Sequence, residues 1–179
     1  MGEKPLSPDA KYIVSDINGM TNDADIICFQ GGINDWFKKC PLGELSSEND
    51  YSGALDTTTV IGALESICRQ AINKWTDKPI CFIITHKIAQ GDSAYAKHTR
   101  DDSWSYKELH DVMIQIFNKY SIPYLDMFAE GGLNSYMDIH NTLYFTGGAD
   151  GTPDKTHPNE AAYRKYYVPK LIKLFESLI

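Results

Sequence analysis

The side chains best suited to chemistry in this sequence lie close together near the C-terminus, in the segment Asp154-Lys155-Thr156-His157. A carboxylate three residues before a histidine on a tight loop can accept the Nδ1 proton of the imidazole. That hydrogen bond fixes the tautomer and leaves Nε2 available as a general base, which then needs a nucleophile to activate. An aspartate that only caps the following helix has the same spacing, so the pair by itself is also compatible with a structural turn.

A second polar motif, Gly31-Gly32-Ile33-Asn34-Asp35, directly follows an apolar segment. Its glycines let the backbone turn sharply and bring a bare N–H close to a ligand. Asn34 adds a neutral side-chain donor of the kind that stabilises a developing oxyanion. Glycine and asparagine are equally typical of ordinary turns, so this motif alone favours a strand-to-loop turn.

Apolar segments and helical patterns predict the elements that position these motifs. Continuous apolar stretches, typical of strands covered on both faces of a parallel sheet, occupy residues 24–29, 79–84 and 122–128. Apolar residues at helical spacing predict helices over residues 57–75, 106–120 and 160–178, the last broken or kinked at Pro169. Strands and helices that alternate in this way predict an α/β sandwich with right-handed crossovers.

Long polar segments, 37–56 and 87–105, follow the first and second of these predicted strands. Ligands of open α/β sheets bind beyond the carboxyl ends of the strands, so we expect the functional site at this edge. His86 and His98 fall near that edge, where they could contact a substrate. His110 falls within a helical pattern and is predicted to lie on the surface.

The composition is that of one acidic globular domain. The chain has 179 residues, a hydrophobic fraction of 42% and a net charge of −7, with a pI of about 5.1. This charge argues against a nucleic-acid or anionic-membrane surface, and no apolar stretch is long enough to span a bilayer. The cysteines form no C-x-x-C pair and are predicted to be buried free thiols rather than zinc ligands. We expect a soluble protein, which is cytoplasmic as written. An upstream segment could carry a secretion signal, so the sequence does not determine the compartment.

Together, on this topology, the two motifs resemble those of the SGNH (GDSL-type) hydrolases, a family of esterases and acylhydrolases. The family has G-x-N-D after its third strand, matched by Gly32-Ile33-Asn34-Asp35, and D-x-x-H before its last helix, matched by Asp154-Lys155-Thr156-His157. The neighbourhoods 23–36 and 156–163 look like the family's sugar- and lipid-esterase branch. The resemblance extends from about residue 11 to the end of the chain.

The resemblance implies a three-layer α/β/α sandwich with a flavodoxin-like parallel sheet, and a Ser-His-Asp triad. His157 would be the base, Asp154 its orienting carboxylate, and Asn34 with the Gly32 N–H two oxyanion donors. Trp36, directly after the motif, is our candidate for a pocket wall. The implied reaction is hydrolysis of carboxylic esters, with acetyl or short acyl groups on a carbohydrate or small molecule, and it needs no metal or organic cofactor.

The nucleophile of the family is a serine in a Gly-Asp-Ser motif after its first strand. Residues 1–23 contain no such motif and are too few for a strand-helix-strand unit, which needs about 30 residues. We therefore interpret residues 1–179 as a single domain from which the first strand-helix-strand portion, and the serine with it, is absent. Ser93 lies in a downstream Gly-Asp-Ser that no strand precedes, and turn chemistry accounts for that tripeptide. Ser7 and Ser15 have no motif around them, so the nucleophile is unknown.

An absent first strand has a structural and a functional consequence. The strand over 24–29 would keep an unpaired apolar edge, which predicts self-association into a homo-oligomer or N-terminal structure that covers the edge. The protein could also be a catalytically inactive fragment or pseudoenzyme that keeps a ligand pocket without the serine. A flavodoxin-like small-molecule binding domain is a further hypothesis, although the sequence has no phosphate-binding glycine loop of the expected kind.

Overall fold

A parallel three-stranded sheet forms the centre of the computed structural model, which describes residues 10–38, 40–89 and 104–179. Its strands are β1 (Ile27–Gln30), β2 (Ile80–Ile84) and β3 (Tyr124–Asp126), in the order β1-β2-β3. Both neighbouring pairs are parallel, with Phe29 opposite Phe82 and Ile84 opposite Asp126. The predicted strands and their parallel arrangement are confirmed.

Helices precede, connect and follow these strands. They are α1 (Ala10–Asp16), a 3-10 turn (Ile17–Gly19), α2 (Ile33–Phe37), α3 (Val60–Lys74), α4 (Tyr106–Lys119), α5 (Asp138–Tyr144), α6 (Glu160–Ala162), a π-helical turn (Tyr163–Tyr167) and α7 (Val168–Glu176). The predicted last helix is thus one helical segment that changes its winding just before Pro169, which lacks the N–H of a regular helical residue. Within the described ranges, no helix combines the length and the apolarity that crossing a membrane requires.

The helices cover both faces of the sheet. On one face, apolar side chains of α1, α3 and α4 pack with Phe29 and Phe82 in the larger core cluster. On the other face, Ile83 forms a smaller cluster with Tyr167 of the π-helical turn, and α7 contacts β3. This is the three-layer α/β/α arrangement that the resemblance implies.

Capping side chains define where α3 and α4 begin. The Thr59 hydroxyl accepts a hydrogen bond from the Gly62 N–H at 3.2 Å, so α3 begins at Val60, later than predicted. At α4, Ser105 and Glu108 form a capping box, in which each side chain accepts a hydrogen bond from the other residue's backbone N–H. Both helices then bury an apolar face, as their periodicity predicts.

The prediction that His110 lies on the surface is wrong. The residue is only 5% exposed, and its Nε2 lies 3.0 Å from Asp126 Oδ2 at the end of β3. Its ring packs against Phe128, with the ring centroids 4.5 Å apart. Local periodicity could not show this, because both partners come from a separate element of the chain.

In the part of the chain that the structure describes, β1 is an edge strand whose only partner is β2. Cys28 of this strand is exposed, so the prediction of a buried thiol is wrong for it, while the other cysteines are buried as predicted. The side chain of Cys28 points to the face of the sheet opposite that of Phe29, and at this position the described residues leave that face open. The absent strand-helix-strand unit and self-association through this edge stay predictions.

Candidate active site

Asp154 and His157 are hydrogen-bonded to each other on the loop between α5 and α6. Asp154 Oδ2 lies 2.6 Å from His157 Nδ1, and Asp154 Oδ1 accepts the backbone N–H groups of Thr156 and His157 at 2.9 and 2.8 Å. Burial alone would raise the pKa of Asp154, but the hydrogen bonds from His157 and Thr156 outweigh it and hold that pKa below its ordinary value. The ionised carboxylate accepts the Nδ1 proton, so the exposed His157 ring presents Nε2 as a base.

Backbone hydrogen bonds hold this loop against the end of α5 and the start of α6. The Asp154 N–H donates to the Phe145 carbonyl at 2.9 Å, and the Gly147 N–H donates to the His157 carbonyl at 2.9 Å. The Asn159 side chain caps α6 by accepting a backbone N–H of its first turn at 3.0 Å. The loop is therefore fixed on both sides of the acid-base pair.

The G-x-N-D motif forms the turn between β1 and the short helix α2. Gly32 has a φ of 102°, in the left-handed region that favours glycine, and a Cβ there would lie 2.9 Å from the Leu109 side chain. The missing side chain thus permits both the turn and the close approach of α4. Asn34 is exposed in the first turn of α2, whereas Asp35 beside it is buried. The motif presents its backbone and the Asn34 amide at the carboxyl end of β1.

One cavity of about 370 Å³ brings the two motifs together. Gly32 and Asn34 contribute to its lining from α2 and the preceding turn, and His157 contributes from the loop before α6. Apolar side chains of β1 and α3, among them Phe29 and Leu64, form another part of the lining. Neutral donors, a base and an apolar wall in one cavity are what a site for an uncharged organic ligand requires.

Comparison with known proteins identifies structures of similar architecture. No protein-family model and no curated protein matches this sequence. A solved protein from Lactobacillus plantarum is similar with a TM-score of 0.74 and 23% identity, over 93% of this chain and 74% of that one. A candidate lipase from Chitinophaga pinensis is similar with a TM-score of 0.68 and 16% identity, over 97% of this chain and 80% of that one.

A further similar structure decides the type of fold. It is a candidate GDSL-like lipase from Bacteroides ovatus, with a TM-score of 0.57 and 17% identity, over 92% of this chain and 58% of that one. This chain has the SGNH/GDSL-type hydrolase fold. The resemblance inferred from the two motifs is confirmed at the level of the fold. At these identities the likeness concerns architecture, so the chemistry has to be argued from the site itself.

Within the SGNH/GDSL-type fold, four of the predicted site residues come together. Gly32, Asn34 and His157 line the cavity, and Asp154 is hydrogen-bonded to His157. These are the residues to which the resemblance assigns a base, its carboxylate and two oxyanion donors. Their catalytic roles stay predictions, while their proximity is a property of the structure.

Trp36 is not part of the cavity, so its prediction as a pocket wall is wrong. Its side chain is fully buried, and its ring centroid lies 5.8 Å from that of Tyr106 in the core. The reason is helical geometry: each residue of a helix turns the side-chain direction by about 100°, so Trp36 points away from Asn34. Direct adjacency in sequence to Asp35 therefore did not place it in the site.

The structure leaves the nucleophile unassigned. Ser93 and Ser7, like His98, lie outside the described residues. Ser15 belongs to α1 and does not line the cavity, and none of the described residues that do line it is a serine. Within the same described part of the chain, no group of three or more His, Cys, Asp or Glu side chains is placed to hold a metal ion.

His86 is a cavity residue whose surroundings the sequence does not reveal. It follows β2 and is 2% exposed; its Nδ1 lies 2.6 Å from the Tyr167 hydroxyl, and its Nε2 lies 3.0 Å from the Thr156 carbonyl oxygen. Burial is the main reason why the pKa of His86 is lowered to about 4. The helical periodicity predicts the last helix but indicates no partner for Tyr167, so no sequence signal pointed to this contact.

Proposed function

We propose that this protein is a carboxylic ester hydrolase that uses SGNH-type acid-base chemistry. The observation that carries the proposal is the single cavity whose lining combines His157, held by Asp154, with Asn34 and Gly32. A histidine oriented by a carboxylate and a pair of neutral donors are the parts that acyl transfer to a serine requires. Two structurally similar proteins that carry candidate lipase descriptions support the same broad reaction.

In the proposed reaction, His157 Nε2 removes the proton of a serine hydroxyl while the oxygen attacks the ester carbonyl carbon. The carbonyl oxygen becomes an oxyanion, which accepts hydrogen bonds from the Asn34 amide and the Gly32 N–H. His157 then delivers the proton to the leaving alcohol as the C–O bond breaks, and an acyl-enzyme remains. Water deprotonated by the same histidine releases the acid and restores the serine. Asp154 stabilises the imidazolium that forms in both steps.

The cavity supports a short acyl group as the acid part of the substrate. Its volume of about 370 Å³ lies near the lower end of the roughly 300–1,000 Å³ that ligand pockets span. Phe29, Leu64 and Ile67 provide an apolar wall against which an acetyl or short alkyl group can pack. The alcohol part, a carbohydrate or another small molecule, would leave past the exposed ring of His157.

A second candidate function is that of a catalytically inactive protein that keeps a ligand pocket. The observation that favours it is that none of the described cavity residues is a serine. In this alternative, the cavity binds the ester or its products, and His157 has no hydroxyl to deprotonate. The two candidates share a binding site and differ only in whether a covalent acyl intermediate forms.

Labelling with a serine-reactive fluorophosphonate separates the two candidates. The label should attach stoichiometrically to the wild-type protein, which should also hydrolyse p-nitrophenyl acetate. Both signals should disappear in His157→Ala and persist in the control His140→Ala, because His140 is not a cavity residue. Peptide mapping of the labelled protein would identify the nucleophile.

The same measurements can overturn the proposal. A wild-type protein that is neither labelled nor active supports the inactive alternative, and activity that survives His157→Ala removes this histidine from the mechanism. Labelling and hydrolysis that are both lost in His140→Ala would show that the effect of the His157 variant is not specific to the cavity.

A further inference from the structure

Hydrogen bonds made by Thr85 and His86, which follow β2, connect the two halves of the site. The Gln30 amide, directly before Gly31, donates to the Thr85 hydroxyl at 3.1 Å. His86, directly after Thr85, is hydrogen-bonded to the Thr156 carbonyl, directly before His157. The residues that follow β2 therefore contact the residue before Gly31-Gly32 and the residue before His157. His86 itself has 2% exposure and is enclosed by these neighbours.

The partners of His86 determine its tautomer. A carbonyl oxygen can only accept, so the hydrogen on Nε2 donates to Thr156 at 3.0 Å. In the neutral ring, Nδ1 then carries a lone pair and accepts the hydroxyl hydrogen of Tyr167 at 2.6 Å. Burial raises the pKa of Tyr167, which keeps the phenol protonated and able to donate. Burial also lowers the pKa of His86 to about 4, so the ring stays neutral at physiological pH.

The bond to Thr156 restrains the peptide group that leads into His157. The carbonyl of that peptide accepts from His86 Nε2 at 3.0 Å, and its N–H, which belongs to His157, donates to Asp154 Oδ1 at 2.8 Å. The peptide is thus held at both of its polar ends, from opposite sides. Because the peptide plane sets the direction of the next Cα–Cβ bond, this arrangement also sets where the His157 ring can lie.

We infer that His86 is a positioning residue: its neutral imidazole, oriented by Tyr167, fixes the Thr156–His157 peptide and thereby holds His157 against Asp154 inside the cavity. His86 does not exchange a proton with substrate, since both of its ring nitrogens are occupied by protein partners. The catalytic consequence rests on the proposed function, whereas the positioning itself does not depend on turnover.

Three variants separate positioning from mere packing. His86→Leu removes the donor to Thr156, and His86→Gln keeps an amide donor of similar reach. Tyr167→Phe removes only the phenol oxygen whose hydrogen bond orients the imidazole ring. The readout is the low-field proton resonance of His157 Nδ1, which reports its short hydrogen bond to Asp154 at 2.6 Å and requires no nucleophile. His157→Gln assigns that resonance, because the signal must vanish in this variant.

The resonance should be present in the wild-type protein and in His86→Gln. In His86→Leu it should be lost, because the Nδ1 proton then exchanges rapidly with water. An unchanged resonance in a folded His86→Leu protein would overturn the inference. If His86→Leu does not fold, Tyr167→Phe carries the test: broadening of the resonance supports the inference, and an unchanged resonance contradicts it.

When the wild-type protein is active, kinetic measurements provide an independent test of the positioning role of His86. In Tyr167→Phe, kcat for p-nitrophenyl acetate should fall about 10- to 100-fold with little change in KM, because the displaced base affects the transition state more than ground-state binding. A rise in KM with kcat unchanged would assign the pair to substrate binding instead. An inactive wild type with the resonance behaviour described above would refute the proposed function and leave the positioning role intact.

Discussion

Among single residues, Asn34 gives the most direct test of the oxyanion hole. Its side chain lines the cavity and is exposed, so Asn34→Ala should leave the free energy of unfolding nearly unchanged. Loss of one oxyanion donor should lower kcat for p-nitrophenyl acetate about 10²- to 10³-fold. Asn49→Ala, at an exposed position that is not part of the cavity lining, is the matched control and should retain full activity. A variant with full activity would remove Asn34 from the oxyanion hole.

Gly32 and Gly31 form a matched pair for testing backbone strain. Gly32→Ala would place a Cβ at a φ of 102° and 2.9 Å from Leu109, so we expect it to destabilise the fold by about 1–3 kcal/mol. A Cβ on Gly31 would meet no atom within 4 Å, and Gly31→Ala should therefore change the stability far less. Urea denaturation measures both variants. Equal losses of stability in the two variants would show that the left-handed backbone at Gly32 is not the source of the destabilisation.

The elements of the fold follow from the sequence where one local rule is sufficient. The continuous apolar stretches predicted all three described strands, and periodic apolar residues predicted α3 and α4. Local rules failed where the position of a side chain depended on residues that are distant in the sequence or on the face of a helix. His110 looked like a surface position because Asp126, which contacts it, lies on another element, and Trp36 was misplaced because adjacency to a motif does not determine the helix face.

The contact between the end of β2 and the last helical segment predicts a pH dependence of stability. The pKa of His86 is lowered from 6.5 to about 4 in the folded protein, mainly by burial. Between these values the unfolded chain binds a proton at this residue that the folded protein does not, so the free energy of unfolding falls as the pH decreases from 6.5 to 4. The total loss should be about 3 kcal/mol, at roughly 1.4 kcal/mol per pKa unit.

Urea denaturation at a series of pH values between 7 and 4.5 measures this slope. His86→Gln should abolish it, because glutamine does not titrate, and the control His140→Gln should retain it. Asp154 can be distinguished by its pH range, because its lowered pKa makes its contribution disappear only below its ordinary value of 3.8. The groups that face His86 are Tyr167 and His157, so His157→Gln serves to exclude a contribution from the latter. A slope that persists in His86→Gln would contradict the assignment.

For the whole molecule, the resemblance of two distant motifs to those of the SGNH (GDSL-type) hydrolases was sufficient to name the fold, because each motif is a short local pattern that can be matched in the sequence. Assembly of the cavity depends on contacts that no local pattern contains. Gln30, His86 and Tyr167 belong to separate elements, and only the packed sheet brings them together. The apolar wall was equally hidden, since Leu64 and Ile67 follow the same periodicity as core residues that never meet a cavity.

The unpaired edge of β1 predicts that copies of the molecule associate with one another. β1 pairs only with β2 among the described strands, and an open edge of this kind favours pairing with another chain. We expect sedimentation velocity in reducing buffer to show an oligomer whose fraction rises with protein concentration.

Cys28→Lys should weaken the association by placing a charge on this exposed position of the edge, and Cys28→Ser should not. The net charge of −7 cannot explain such a difference, because an added lysine reduces the repulsion between copies. A wild-type monomer at every concentration would mean that the edge is covered within the chain itself.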